Sequence, residues 1–208
     1  MINNDTNFNQ EFDLIGWSQG TTISRYIIQQ CELVGKVRKF VSFGGPLNGE
    51  SLNKCSWTDL SCIYSTWYRR VFWYTDYIQN SWAPANLYKD PEVYDRYLAH
   101  SLFIARLNNE VDFSQKLKEK FMQVEKYLFI RWADDSVIIP RETSWWGEFD
   151  RKYNIITRFD TRLYKEDLIG LKTLEEQNRT QFIYFPGDHM YYTFELVDTH
   201  VIPFLTDA

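Results

Sequence analysis

The 208-residue sequence predicts a single α/β domain, a parallel sheet with flanking helices. Three observations carry that expectation. Asp13-Leu14-Ile15-Gly16-Trp17 reads as a buried strand, with an amphipathic stretch behind it. Residues 37–43 read as a second buried strand, stopped by Gly44-Gly45-Pro46. Strand, helix and strand within about 30 residues form a βαβ unit, whose strands must run parallel. A site on such a sheet belongs at the C-terminal ends of its strands.

The elements follow in order. Met1 to Asn7 is polar and has neither the basic region nor the apolar core of a signal peptide, so the chain as written would stay in the cytosol. Ile23, Ile27 and Ile28 fall at helical spacing and predict a helix over residues 19–30. From residue 51 to about 109 no strand is legible, and Trp57, Tyr64, Trp67, Tyr68, Phe72, Trp73, Tyr74, Tyr77 and Trp82 crowd together. This predicts a mostly helical insertion broken by Pro84 and Pro91, with another helix over 92–108. Its aromatics fit either a groove for a long apolar substrate or plain packing against the sheet. Residues 127–130 form the next buried strand and lead into Asp134 and Asp135. Trp145-Trp146-Gly147 reads as a loop, and residues 151–176 as loops with a short helix near 168–176. Residues 181–185 are the last strand, followed by Pro186-Gly187-Asp188-His189. Residues 192–205 read as a helix broken by Pro203.

Composition narrows the function. Hydrophobic residues at 44% and charged residues at 25% describe an ordinary globular chain. A net charge of -5 argues against a phosphate-binding surface, so nucleic acid is excluded as a partner. No apolar run is long enough for a stable membrane anchor. No His, Cys, Asp or Glu cluster has metal-ligand spacing, and no cofactor motif is present. The cysteines are Cys31, Cys55 and Cys62. Cys55 and Cys62 are close enough to pair, which would stabilise by about 2.5 kcal/mol in the chain-entropy model, while for a cytosolic chain three reduced, buried thiols are the favoured reading.

The chemistry lies in Gly16-Trp17-Ser18-Gln19-Gly20, a G-x-S-x-G nucleophile elbow between strand and helix. The sharp turn needs almost side-chain-free flanks, which Gly16 and Gly20 provide. It lifts the Ser18 hydroxyl above the sheet and aims the Gln19 N–H at a developing oxyanion. Of the three histidines, His189 follows the last strand, whereas His100 precedes the candidate acids and His200 lies in the terminal helix. Ser18, Asp135 and His189 then stand in the chain order of the α/β-hydrolase triad. Sequence physics barely separates Asp135 from Asp134.

With these motifs in place the chain resembles the palmitoyl-protein thioesterases over nearly its whole length, from about residue 12 to 205. The likeness rests on the elbow, Gln29-Gln30-Cys31, Phe43-Gly44-Gly45 and the Cys55/Cys62 pair. It continues through Tyr97-Leu98-Ala99-His100-Ser101-Leu102-Phe103, Leu107-Asn108-Asn109-Glu110, Asp135-Ser136-Val137-Ile138 with Pro140, and Ser144-Trp145-Trp146-Gly147. Gly170-Leu171-Lys172, Gly187-Asp188-His189 and the segment from His200 to Leu205 complete it. The resemblance implies a Ser18–His189–Asp135 triad that hydrolyses palmitoyl thioesters on protein cysteines through an acyl-enzyme. S-acylated proteins or peptides would be its partners. It further implies a Cys55–Cys62 disulfide and an acyl groove in the insertion, with Trp17, Trp82 and Trp145 as substrate-binding candidates. A lysosomal or secreted glycoprotein is implied as well, with sequons at Asn4-Asp5-Thr6 and Asn178-Arg179-Thr180.

Two departures stand out. Members of that family carry a signal peptide and several elements before the elbow, where this sequence has about a dozen residues. The expectation is one α/β-hydrolase domain over 1–208, with an insertion at about 51–109 and the front half of the sheet missing. The second oxyanion donor and the partner of Cys31 would lie in that missing part. The family's asparagine before the acid is Asp134 here. Alternatives to the thioesterase are a lipase or esterase acting on oxygen esters, or a catalytically impaired fragment that binds acyl chains.

Overall fold

The computed structural model describes residues 5–207; Asn4 of the first sequon lies outside them. In chain order the elements are β1 Glu11–Trp17, α1 Gly20–Gln30, β2 Lys36–Phe43, α2 Leu60–Phe72, α3 Asp76–Ser81, α4 Ala83–Leu87, α5 Tyr94–His100, α6 Ile104–Leu107 and α7 Gln115–Gln123. Then come β3 Lys126–Trp132, β4 Glu148–Phe149, β5 Ile155–Ile156, α8 Arg162–Lys165, α9 Leu171–Glu176, β6 Thr180–Phe185, α10 Phe194–Leu196 and α11 Ile202–Thr206.

The main sheet has the order β1-β2-β3-β6, and every pairing in it is parallel. Its register sets Trp17 beside Phe43, Phe43 beside Ile130, and Trp132 beside Phe185. Four strand ends therefore reach one edge together. The strands β2 and β3 alternate their side chains between two cores. Phe40, Tyr127 and Phe129 pack with Ile28, Phe121, Trp146 and Leu174 on one face. Val41, Phe43, Ile130 and Trp132 pack with Leu196, Val201 and Phe204 of the C-terminal helical run on the other.

Several expectations change. The first strand is not buried: it is the outer strand, and Ile15 and Trp17 are 50% and 40% exposed. The inward face of α1 is only partly its isoleucines. Ile23 points outward, while Thr21, Thr22, Ser24, Arg25, Ile28 and Gln29 are buried. Residues 92–108 form two short helices, because the chain turns at Ser101–Phe103. Pro84 does not break a helix but sits in the first turn of α4, where its missing N–H costs nothing. Pro203 leaves the terminal run unbroken, because the preceding turn, Val197–Val201, widens to a π-helix and relieves the carbonyl that a proline ring would strike. Trp146 is not in an open loop. It is fully buried after a 3-10 turn, Arg141–Trp145.

The insertion builds its own core from Trp73, Tyr74, Ala85, Tyr88, Tyr97 and Ile104. Other aromatics of the cluster, among them Trp57, Tyr64, Trp67 and Tyr77, stay exposed. The packing reading is thus met for part of the cluster, while the other rings face solvent. Cys55 and Cys62 are joined in a disulfide, and Cys31 is free. Among the described residues no helix is long and apolar enough to cross a membrane.

Candidate active site

Ser18 follows β1 at the shared strand edge, in left-handed backbone with φ 48°. For a non-glycine residue that conformation costs roughly 1–3 kcal/mol and persists only where neighbours enforce it. Here they do. The Ser18 N–H donates to the Phe43 carbonyl at 2.9 Å. The Ser18 carbonyl accepts from the Thr21 N–H at 3.0 Å and the Thr21 hydroxyl at 2.8 Å. Gly16 is sterically required, since a Cβ there would lie 2.6 Å from Thr21 Cα. Gly45 is required too, because its Cβ would overlap the Thr21 side chain. The second motif glycine, Gly20, is not: a Cβ there meets nothing within 4 Å.

The loops after β3 and β6 bring the other two candidates to the serine. His189 Nε2 lies 3.0 Å from Ser18 Oγ. His189 Nδ1 lies 2.8 Å from Asp135 Oδ2. The Asp135 side chain is fully buried and that of His189 is 8% exposed. Asp135 Oδ1 is occupied by the N–H groups of Val137 and Ile138, at 3.0 and 2.9 Å, which leaves Oδ2 for the imidazole. Asp134, by contrast, is exposed and enters the arrangement through its backbone N–H, donated to the Gly187 carbonyl. The Trp132 ring meets the imidazole edge-on at 6.0 Å, and its Nε1 donates to the Tyr191 carbonyl.

Such a chain of contacts can pass a proton from hydroxyl to imidazole while the carboxylate fixes the ring's tautomer. Gln19, exposed at the head of α1, has a backbone N–H that no hydrogen bond takes up among the described residues. Among the described residues, too, no group of three or more His, Cys, Asp or Glu side chains could hold a metal ion.

The three tryptophans part company. Trp17 lies against Tyr192, ring centroids 3.8 Å apart, and its Nε1 is 3.0 Å from Met190 Sδ, next to His189. Trp82 is 46% exposed on the insertion and meets Trp73 edge-on. Trp145 donates to the Phe129 carbonyl and packs on Phe182 beneath Arg131. By strand alternation it belongs to the sheet face opposite Trp132, away from the imidazole.

Other polar groups near the site escape sequence reasoning. Arg25 is fully buried in α1 and donates to the Leu107 carbonyl and to Asn108 Oδ1, both in the insertion. Burial lowers its guanidinium to about 9. Lys89 is buried between Glu110 and Glu148, at 2.9 and 2.6 Å. Burial pulls its proton affinity down, but the two carboxylates hold its charge above the usual lysine range. Glu50 also lies in this region, and burial pushes its carboxyl up to about 7 against the pull of His189. Each would pass for a solvated surface charge in the sequence. No local pattern marks them, because their partners are remote in the chain.

Comparison with known proteins adds to this geometry. The palmitoyl protein thioesterase family model matches residues 1–189. The chain is 29% identical over 192 residues to palmitoyl-protein thioesterase 1 of Caenorhabditis elegans, covering 91% of this chain and 64% of that protein. It is 30% identical to palmitoyl-protein thioesterase 3 of Dictyostelium discoideum, covering 82% of this chain and 58% of the relative. It is 26% identical to lysosomal thioesterase PPT2-B of Xenopus laevis, with 84% and 60% covered. The chain thus spans about three fifths of the length of these relatives.

Proposed function

The chain belongs to the palmitoyl protein thioesterase family, and from that premise we propose that it hydrolyses long-chain fatty acyl thioesters on protein cysteines. The observation that carries this reading is the unbroken line Ser18 Oγ, His189, Asp135, with separations of 3.0 and 2.8 Å.

Ser18 Oγ attacks the thioester carbonyl, and His189 Nε2 takes its proton. Asp135 keeps the Nδ1 proton in place and stabilises the imidazolium. The Gln19 N–H receives the oxyanion; donors of this kind are worth about 10²–10³ in turnover. The tetrahedral intermediate collapses, the C–S bond breaks, and His189 returns the proton to the departing thiolate. Water then attacks the acyl-Ser18 ester with His189 as base, releasing the fatty acid and restoring the serine.

A groove beside the elbow supports this reading. An apolar groove of about 290 Å³ starts at Gln19 and runs between Ile23, Ala83, Leu87 and Phe103, joining α1 to the insertion. Trp17 and Trp82 would flank the reacting ester and the tail; the position of Trp145 supports packing instead. Residues 1–208 act in this reading as one α/β-hydrolase domain with its insertion at about 51–109. Substrates are S-acylated proteins, and the setting is that named for the lysosomal relatives, where the exposed Asn178 sequon would carry glycan.

The test is thiol release from a palmitoyl thioester, run beside a palmitoyl oxygen ester and with Ser18→Ala. Thioester turnover that vanishes in Ser18→Ala supports the reading. Faster oxygen-ester turnover would turn it into a lipase, and palmitoyl binding without turnover would make the chain an acyl binder.

A further inference from the structure

Helix α2 is inside out. A surface helix turns its apolar stripe to the core and its polar side to water. In α2 the stripe Leu60, Ile63, Tyr64, Trp67 and Tyr68 follows the i, i+3, i+4, i+7, i+8 spacing of one helix face, and all five side chains are exposed. Among the described residues of the helix only Thr66 is buried, its hydroxyl 3.3 Å from Cys55 Sγ. The exposed rings lie against one another, Tyr64 on Trp67 at 5.9 Å and Tyr68 on Phe72 at 4.7 Å. The helix is nonetheless held at both ends. Asp59 accepts the Cys62 N–H at its start, where Cys62 is joined to Cys55. Near its end Arg70 is ion-paired with Asp90 and Glu92.

The charges around this face have a definite pattern. No charged residue lies between Asp59 and Arg69. The Asp59 carboxylate is turned onto the Ser61 hydroxyl and the Cys62 N–H. Three cations frame the helix. Lys54 lines one cleft with Ile63 and Trp67, Arg69 stacks on the Trp73 ring at 4.4 Å, and Arg96 donates to the Val71 carbonyl at 3.0 Å. Among the described residues these three carry no ion pair, whereas Arg70 has two. An uncharged aromatic stripe rimmed by unpaired cations is complementary to a lipid–water interface. Tyr and Trp rings settle at headgroup level, and the cations meet anionic headgroups. A second copy of the chain would instead set the cationic rim against itself.

We propose that α2 is a docking face for anionic lipid bilayers. With 13 residues it is too short to span one and lies along the interface, so docking is reversible. The face is continuous with the groove at the elbow. Arg69 stacks on Trp73, Trp73 meets Trp82 edge-on at 4.9 Å, and Trp82 precedes Ala83 of the groove wall. Docking thereby brings a palmitoyl tail held in the adjoining leaflet beside the groove. That last link rests on the thioesterase reading; the docking itself does not.

The test is co-sedimentation of the full chain with vesicles of about 30% phosphatidylserine in phosphatidylcholine. The wild type should bind, with its tryptophan emission shifted to the blue. Tyr64→Ala with Trp67→Ala should lower the partition coefficient at least about tenfold and leave the melting temperature unchanged. Lys54→Ala with Arg69→Ala should lower it about tenfold on these vesicles and leave it unchanged on phosphatidylcholine alone. Phe159→Ala, which removes an exposed ring outside the insertion, should change nothing. Failure of the wild type to bind, or an equal loss with Phe159→Ala, would overturn the proposal. Dimerisation in lipid-free solution that the Tyr64 and Trp67 substitutions abolish would assign the face to a second copy and overturn it as well. No substrate is turned over in these measurements, so each outcome leaves the thioesterase reading to its own test.

Discussion

Asp188 accepts three hydrogen bonds, two of which, from Ser136, tie the loop of Asp135 to the loop of His189. Its Oδ1 takes the Ser136 N–H at 2.8 Å and the His189 N–H at 2.6 Å, and its Oδ2 takes the Ser136 hydroxyl at 2.9 Å. These bonds, led by that from the His189 N–H, hold its carboxyl below the ordinary range. Asp188 thus fixes the distance between base and acid without touching the reacting atoms.

Replacing Asp188 with Ala should lower kcat/KM about tenfold to a hundredfold, because small misplacements of a catalytic base are expensive. Most of the loss should fall in kcat. Steady-state kinetics with a circular-dichroism melt checks this. Unchanged kcat would mean that the two loops hold their spacing without the bridge.

The two glycines of the elbow should respond in opposite ways. Gly16→Ala drives a methyl into Thr21 Cα and should cost about 2–4 kcal/mol. Gly20→Ala enters open space at the first residue of α1 and should be neutral or stabilising by up to about 1 kcal/mol. Urea melts of both variants check the pair. Equal losses would contradict the steric difference.

Arg25→Met removes a buried donor and leaves Asn108 Oδ1 and the Leu47 carbonyl without the guanidinium they accept from, while Leu107 O keeps Gln29. A loss of about 3–5 kcal/mol is expected, larger than for an ordinary surface arginine. Denaturant unfolding measures it, and a loss within about 0.5 kcal/mol would contradict it.

Glu50 should make stability depend on pH with a definite sign. Its carboxyl binds a proton more tightly when folded, at about 7, than at the ordinary glutamate value of 4.5. Below the unfolded value both states are protonated, and Glu50→Gln should match the wild type. Between the two values the unfolded chain alone is ionised, so the wild type loses stability as pH rises. Above pH 7 the variant should be more stable by about 1–3 kcal/mol, allowing for partial solvent contact. Melting temperatures of both proteins from pH 4 to 8 would reveal a gap that opens with pH; a constant gap would contradict the shifted carboxyl.

Much of the arrangement was legible in the sequence, for identifiable reasons. The strand ending at Trp132 is an uninterrupted apolar run, Tyr127-Leu128-Phe129-Ile130, because both of its faces are covered. Ser18, Asp135 and His189 were readable because each follows a strand at the same edge. The buried side of α1 was not. Behind an elbow built on Gly16 and Gly45 only small side chains fit, so Thr21 and Ser24 occupy positions that hydropathy assigns to the surface. Helix α7 gave little signal, since Leu117 and Phe121 are its only buried residues. Asp188, Lys89 and Arg25 act through partners far away in the chain, which no local pattern records.

The grip of α1 on the insertion has a mechanical consequence. Arg25 and Gln29 both donate to the Leu107 carbonyl, one turn apart on the helix that begins at the elbow. Lys89 and Asn108 meet at Asn48 Oδ1, at 3.0 and 2.9 Å, in the segment after β2. The base of the insertion is thereby riveted to the frame that carries the serine. It cannot swing aside as a hinged cover without tearing several buried hydrogen bonds at once. In the proposed reaction a long tail would then enter sideways between fixed walls, and amides of α1 and α6 should exchange with solvent as one cooperative block.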